Sequence, residues 1–113
     1  MKNYDKSIVQ MLIKLGVQQH LSGFDYLITA IKLVIEDNEY KFHIVKELYP
    51  KIAEIHNTTD TAVERAIRHA IRLTLKLAPE EEIQKVFGNT IGCKGISNGH
   101  YIAAVANAVK MGE

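Results

Sequence analysis

The chain has 113 residues, of which 47% are hydrophobic, and its 14 Lys and Arg against 13 Asp and Glu give a net charge of +1. This composition fits one folded domain, and it excludes both an intrinsically disordered chain and a uniformly basic nucleic-acid binder. The single cysteine, Cys93, excludes an internal disulfide and a zinc site built from several thiolates. The apolar stretches are short, and the first residues lack the hydrophobic core of a signal peptide. We therefore expect a cytoplasmic protein without a membrane span.

The first half of the chain carries apolar residues at helical spacing. Residues 4–15 form one such segment, and Gly16 is predicted to stop it. Ser22 is predicted to cap a second helix, in which apolar residues recur until a polar stop at 36–38. Pro50 follows a third apolar segment and suits the first turn of a short helix over 51–56.

The second half contains the longest predicted helix, over residues 60–77. Pro79 and three following glutamates predict another helix start, because proline suits a first turn and acidic side chains favour the positive end of the helix dipole. Four glycines predict a loop over 88–99, and a last helix is predicted over 101–111. No segment alternates apolar and polar residues, so the sequence predicts an all-α fold, a compact bundle of about six helices.

Residues from about 51 to 77 have the spacing of a helix-turn-helix. Small Ala53 lets a second helix cross the first closely, and Asn57 lies at the turn, where asparagine tolerates the left-handed conformation. Two arrangements can cap the second helix: a hydroxyl of Thr58 or Thr59, or a box of Thr61 and Glu64. In this motif the N-terminal half of the second helix enters the major groove of DNA.

All arginines of the chain, Arg65, Arg68 and Arg72, lie in one window of the second helix. Their spacing places them on one face, opposite the apolar stripe. Arginine makes paired hydrogen bonds with guanine edges and phosphates, so the combination with the motif favours DNA binding. A solvated helix face is one alternative. Another is a protein-interaction module that binds an acidic partner through these arginines, although the face lacks the aromatic or methionine anchors typical of protein interfaces.

The run VERAIRHAI at 63–71, preceded by NTT at 57–59, resembles the signature of the master response regulator of endospore formation, in its C-terminal effector domain. Shorter similarities at 16–23, 48–53 and 87–88 extend the resemblance over nearly the whole chain. The resemblance implies a helical domain that binds TGTCGAA-like boxes. It also implies activation or repression of promoters through contacts with RNA polymerase and its sigma factor, and thereby control of the initiation of sporulation.

Members of this family normally carry an N-terminal receiver domain that is phosphorylated on an aspartate. We expect that domain to be absent here, so that residues 1–113 form a single effector domain and the chain is a fragment of a longer protein. The sequence has neither the spacing of zinc ligands nor a nucleotide-binding motif. Cys93 and His100 could form a catalytic nucleophile and base, but a glycine-rich segment with one thiol is far more often only a loop. We therefore expect neither enzyme activity nor a cofactor.

Base contacts are expected from the N-terminal half of the second helix. Arg65 is expected to contact guanine, and Arg68 a base or the adjacent backbone. Glu64 either accepts from a cytosine amino group or orients Arg65. Position 62 departs from the family, because Ala62 stands where the best-known members carry an arginine, so the preferred box can be shifted.

Backbone contacts are expected to surround these bases. His69 and Arg72 are expected to meet phosphates, which position a protein without specifying sequence. The hydroxyls of Thr59 and Thr61 either contact a phosphate or serve only as caps. Further backbone contacts are expected from Lys51 and Lys94.

Two further surfaces concern protein partners. The resemblance implies a sigma-factor contact near Lys76, Glu81, Lys85 and Phe87, against the alternative that the apolar residues of this region are core and the charged ones confer solubility. The alanine-rich last helix could pair two copies of the chain on tandem DNA boxes, or simply close the core.

Overall fold

The computed structural model of the chain describes residues 3–88 and 96–112. Six α-helices form in this part of the chain: α1 (Asp5–Lys14), α2 (Ser22–Glu36), α3 (Tyr49–His56), α4 (Asp60–Leu77), α5 (Glu80–Phe87) and α6 (Asn98–Met111). A 3₁₀ segment (Asn38–Phe42) and a π segment (Ile44–Leu48) connect α2 to α3. The described residues contain no strand, so the all-α prediction is confirmed.

Helix α2 lies at the centre of the bundle and packs against α1, α3, α4 and α6. Its side chains Leu27 and Ile31 are fully buried, as are Ile67 of α4 and Ile102 of α6. Burial of each such side chain stabilises the fold by about 1.5–3 kcal/mol. This shared core fixes α4 to the bundle along its apolar stripe and leaves the opposite face to solvent.

Helices α2 and α4 approach closely at Gly23. A Cβ atom at this position would overlap the carbonyl oxygen of Ala66 and lie 2.7 Å from the Cβ of Ala70. Only glycine therefore allows the two backbones to cross at this distance. Because Ala66 lies between Arg65 and Arg68, which are expected to contact DNA, Gly23 helps to set where that half of α4 lies.

Several predicted helix ends are confirmed. Gly16 follows α1 with φ of 92°, the left-handed conformation expected at a helix stop, and Pro50 lies in the first turn of α3. Helix α5 begins at Glu80 as the glutamates indicate, with all three in its first turn, although Pro79 is its cap residue with an extended backbone and not part of the first turn.

Two predicted helix starts are wrong. Ser22 is the first residue of α2 instead of its cap, because Leu21, whose backbone is extended, occupies the cap position. The carbonyl oxygen of Leu21 accepts a hydrogen bond from the amide of Phe24 at 3.0 Å. Helix α6 begins at Asn98, three residues before the predicted start, because the Ser97 hydroxyl oxygen accepts from the amide of His100 at 3.1 Å. The predicted loop is thus too long at its end, and its residues 89–95 lie outside the described part of the chain.

In the part of the chain that the structure describes, no helix combines the length and the apolar character needed to cross a membrane.

Candidate nucleic-acid interface

The turn between α3 and α4 has the geometry predicted for it. Asn57 adopts φ 55° and ψ 52°, the left-handed conformation that asparagine tolerates better than most residues. The amide of Thr58 donates to the carbonyl oxygen of Ala53 at 2.9 Å and satisfies the end of α3. The chain then enters α4 after only three residues, as a helix-turn-helix requires.

Thr59 caps α4. Its hydroxyl oxygen accepts from the amide of Ala62 at 3.1 Å, while its backbone is extended. Of the arrangements predicted to cap this helix, the structure therefore has Thr59, and Thr61 and Glu64 do not form the rival box. Since the hydroxyl oxygen acts as an acceptor, its hydrogen is still available to a phosphate.

Helix α3 is held against α2 by polar as well as apolar contacts. A hydrogen bond of 2.7 Å joins the His56 ring to the hydroxyl of Thr29. The same ring packs edge-to-face with the ring of Tyr26, with centroids 5.0 Å apart. Ile52 and Ala53 in the middle of the helix are buried, so α3 is anchored up to its C-terminal end and the turn that follows has a fixed starting point.

The exposed face of α4 carries the predicted arginines. Val63, Ile67 and Ala70 of the helix are buried, whereas the exposed side includes Thr61, Arg65, Arg68, His69 and Arg72. Ala62 lies at the border between the two faces and is half-buried. The predicted separation of an apolar stripe from a basic face is therefore present.

The arginines differ in the partners they already have. A nitrogen of the Arg68 guanidinium lies 2.6 Å from the carboxylate of Glu64, one helical turn earlier. Of the two roles expected for Glu64, the orientation of Arg65 is not present in this structure, because side chains at i and i+4 meet on a helix and adjacent ones diverge. Within the described residues, Arg65 and Arg72 form no hydrogen bond or ion pair, so their guanidinium donors face solvent.

Of the two lysines predicted to contact the DNA backbone, one lies on α3 and the other lies outside the described chain. Lys51 is exposed on α3 and pairs with Glu54 at 3.1 Å, a contact at the surface that a phosphate can replace at little cost. Lys94 lies in the segment that the structure does not describe.

The residues expected to contact the sigma factor lie on and before α5. Lys76 and Glu81 are exposed, and Lys85 is exposed while pairing with Glu82 at 3.4 Å. Phe87 is half-buried, and its ring centroid lies 5.2 Å from that of Tyr101. Its contact with α6 matches the alternative of core packing for this residue.

Asn98 is absent from the predicted site residues, because its position falls in the glycine-rich segment that is predicted to be a loop. The Asn98 amide nitrogen donates to the phenol oxygen of Tyr49 at 3.0 Å and to the backbone carbonyl oxygen of Glu64 at 3.3 Å. It therefore contacts both helices of the motif. The only signal in the sequence is Ser97, whose type is preferred at a helix N-cap and which would have moved the start of α6 to Asn98.

A family model described as "Sporulation initiation factor Spo0A C terminal" matches residues 8–109, nearly the whole chain. The matched range includes all six helices but for the first residues of α1 and the last of α6, and it includes the whole basic face of α4. The helical fold, the helix-turn-helix and this match agree with one another. The chain therefore belongs to the family of the Spo0A C-terminal domain, a DNA-binding regulatory domain of the initiation of sporulation.

Proposed function

We propose that this domain binds TGTCGAA-like boxes in double-stranded DNA by placing the N-terminal half of α4 in the major groove, and so controls promoters at the start of sporulation. The observation that carries the proposal is the exposed face of α4, where Arg65 and Arg72 have no partner among the described residues. Guanidinium groups of this kind suit guanine edges and phosphates. The proposed place of action is the chromosome, in the cytoplasm.

Base recognition is assigned to the first turns of α4. Arg65 donates to a guanine, since its guanidinium is exposed and unpaired within the described chain. Arg68 contacts a base or the neighbouring backbone, and Glu64 holds its guanidinium or accepts from a cytosine amino group. Ala62 offers only a methyl group, which fits a thymine methyl.

Backbone recognition is assigned to the surrounding polar side chains. The proposed phosphate contacts are His69, Arg72, Thr59, Thr61, Lys51 and Lys94. All of these residues that the structure describes have exposed side chains, which supports the assignment; Lys94 lies outside the described part of the chain. Such contacts add affinity for any sequence and hold the helix in register.

Promoter control requires a contact with the transcription machinery. We assign it to the exposed charges of Lys76, Glu81 and Lys85, together with the half-buried Phe87 at the end of α5, and the proposed partner is the sigma factor of RNA polymerase. Pairing of two copies on tandem boxes is assigned to α6. Charge reversal at Glu81 should then abolish promoter activation in a purified transcription assay while leaving DNA binding unchanged; unchanged activation would remove Glu81 from the contact.

The decisive test is DNA binding by the purified chain with no phosphodonor present. We expect micromolar or tighter binding to a tandem TGTCGAA duplex in a gel shift and clearly weaker binding to a shuffled duplex of the same composition. Selection from a randomised DNA pool should enrich a short box. Equal binding to both duplexes without enrichment would overturn the proposal, and binding of Arg65, Arg68 and Arg72 to acidic protein alone would favour a protein-interaction module.

A further inference from the structure

We propose that Asn98, at the first turn of α6, positions the base-contacting half of α4 against α3 and thereby sets the specificity of DNA recognition without contacting a base. This inference rests on the proposed function. It concerns a residue outside the helix-turn-helix, 34 residues beyond Glu64 and 49 beyond Tyr49 in the chain.

One side-chain amide joins three helices. The amide nitrogen of Asn98 donates to the phenol oxygen of Tyr49, the first residue of α3, at 3.0 Å. It also donates to the carbonyl oxygen of Glu64 in α4 at 3.3 Å. An asparagine amide has two hydrogens, so both bonds form together. The amide is therefore a clamp between the two helices whose relative placement determines how the motif meets DNA.

The clamp acts at the turn of α4 that carries the proposed base contacts. Glu64 directly precedes Arg65, and its side chain holds Arg68 at 2.6 Å. A helical carbonyl oxygen keeps a second lone pair after its intrahelical bond, and Asn98 uses it at Glu64. Paired contacts with a base edge tolerate displacements of only about 0.5 Å, so a small shift of this turn weakens discrimination.

The surroundings hold Asn98 in place. Asn98 is the first residue of α6, and the fully buried side chains of Tyr101 and Ile102 in the next turn fix this end of the helix in the core. Tyr49 is only 6% exposed, which holds its phenol in place as the acceptor of the hydrogen bond from Asn98. Because both the donor and its acceptors are ordered by their own contacts, the clamp is pre-formed before DNA arrives.

Two variants remove the clamp by different routes. Asn98→Ala deletes the amide. Asn98→Asp keeps the shape of the side chain and places an acid at the start of α6, which favours the helix, but it removes both donated hydrogens. The matched control is Ser97→Ala, which weakens the start of α6 and leaves the bonds from Asn98 to Tyr49 and Glu64 intact.

The readout is the ratio of affinity for the tandem TGTCGAA duplex to that for the shuffled duplex, with folding checked by circular dichroism. We expect both Asn98 variants to lower this ratio about tenfold, in the range of one lost base contact, with the salt dependence of binding to the shuffled duplex unchanged. Ser97→Ala should lower the melting temperature and leave the ratio as in the parent chain.

The outcomes separate this inference from the function on which it rests. Equal ratios in the parent chain and both Asn98 variants would overturn the role of Asn98 while the proposed function stands. The same would follow if Ser97→Ala lowered the ratio as much as Asn98→Ala, because the effect would then reflect the stability of α6. A parent chain without any preference would instead overturn the proposed function, and the specificity role with it.

Discussion

The arginine side chains on α4 differ in whether they already have a partner that DNA would have to replace. Arg68 is held by Glu64 at 2.6 Å, but its side chain is 44% exposed, and exposed ion pairs contribute only about 0–1 kcal/mol. Breaking this pair for a phosphate or base is therefore cheap, while the pair keeps the guanidinium in one region of the surface. Arg65 and Arg72 have no such partner among the described residues, so they can bind a base or a phosphate without first breaking an ion pair.

Replacing Arg65 with alanine should reduce discrimination between DNA sequences. Loss of a bidentate guanine contact costs about 1–3 kcal/mol on the preferred box and much less on random DNA. Fluorescence anisotropy with a tandem box and a shuffled duplex measures both affinities. An equal loss on the two duplexes would show that Arg65 contacts only phosphate.

Replacing Arg72 with alanine should weaken binding to every sequence alike. Arg72 lies two helical turns beyond Arg65, where a contact with the DNA backbone is proposed. Removal of one neutralised phosphate lowers the slope of log affinity against log salt by roughly one unit. Binding titrations from low to high salt measure this slope, and an unaltered value would remove Arg72 from the interface.

Arginine at position 62 should sharpen recognition of the family's box. Ala62 is half-buried at the border of the exposed face, and its amide is held by the Thr59 hydroxyl. A long side chain can extend from this border, and a bidentate guanine contact would add about 1–3 kcal/mol of discrimination. The informative quantity is the ratio of affinities for the box and for random DNA. A uniform gain in both would assign position 62 to the backbone.

At the scale of helices, the crossing of α2 and α4 determines where the basic face lies. Leu27 and Ile31 of α2 and Ile67 of α4 are fully buried in the shared core. Gly23 brings the backbones together at Ala66, immediately after the proposed base contact Arg65. Any residue larger than glycine must push these helices apart and move the DNA-contacting turn with them.

Gly23→Ala should therefore destabilise the fold and also impair specific binding. Overpacking of a tight contact costs about 1–3 kcal/mol, and here the added Cβ meets backbone atoms that cannot turn away. Urea unfolding measures the loss. The matched control is Gly112→Ala, where the added Cβ would lie 3.4 Å from its nearest neighbour, an ordinary contact. Equal stability of the two variants would contradict the close crossing.

Features that depend on residues close together in the sequence can be predicted from it, and features that depend on distant residues cannot. The stripe of Val63 and Ile67 and the arginine face repeat at helical spacing, so a single sequence is sufficient to predict them. The cap at Thr59 was among two predicted arrangements, and only the fold selects it. Asn98 depends on acceptors 34 and 49 residues away, which local patterns do not contain.

At the scale of the whole molecule, the arginines and a cluster of glutamates lie on separate helices, and the net charge is small. The net charge is only +1, yet the three arginines share one face of α4, while Glu80, Glu81 and Glu82 share the first turn of α5. Steering of the domain to DNA therefore comes from a local positive field.

Tyr101 links the core to the pH dependence of folding. The side chain is fully buried, its hydroxyl has no hydrogen-bond partner within the described chain, and burial raises the pKa of its phenol above the ordinary value of 10.0. The folded state thus keeps the proton at a pH where the unfolded state has lost it. Stability is fully present below pH 10 and falls above it, by about 1.4 kcal/mol for each pH unit while the folded state remains protonated.

Tyr101→Phe should remove this loss while keeping the ring that packs on Phe87. At pH 8 the variant should be as stable as the parent chain or more stable by about 1–3 kcal/mol, because an unsatisfied buried hydroxyl is removed. Between pH 10 and 11 its free energy of unfolding should decline less steeply, with a residual decline from Tyr49, whose phenol pKa burial also raises. Urea unfolding across this pH range is the measurement, and parallel curves for the two proteins would show that Tyr101 ionises as readily in the folded state as in the unfolded one.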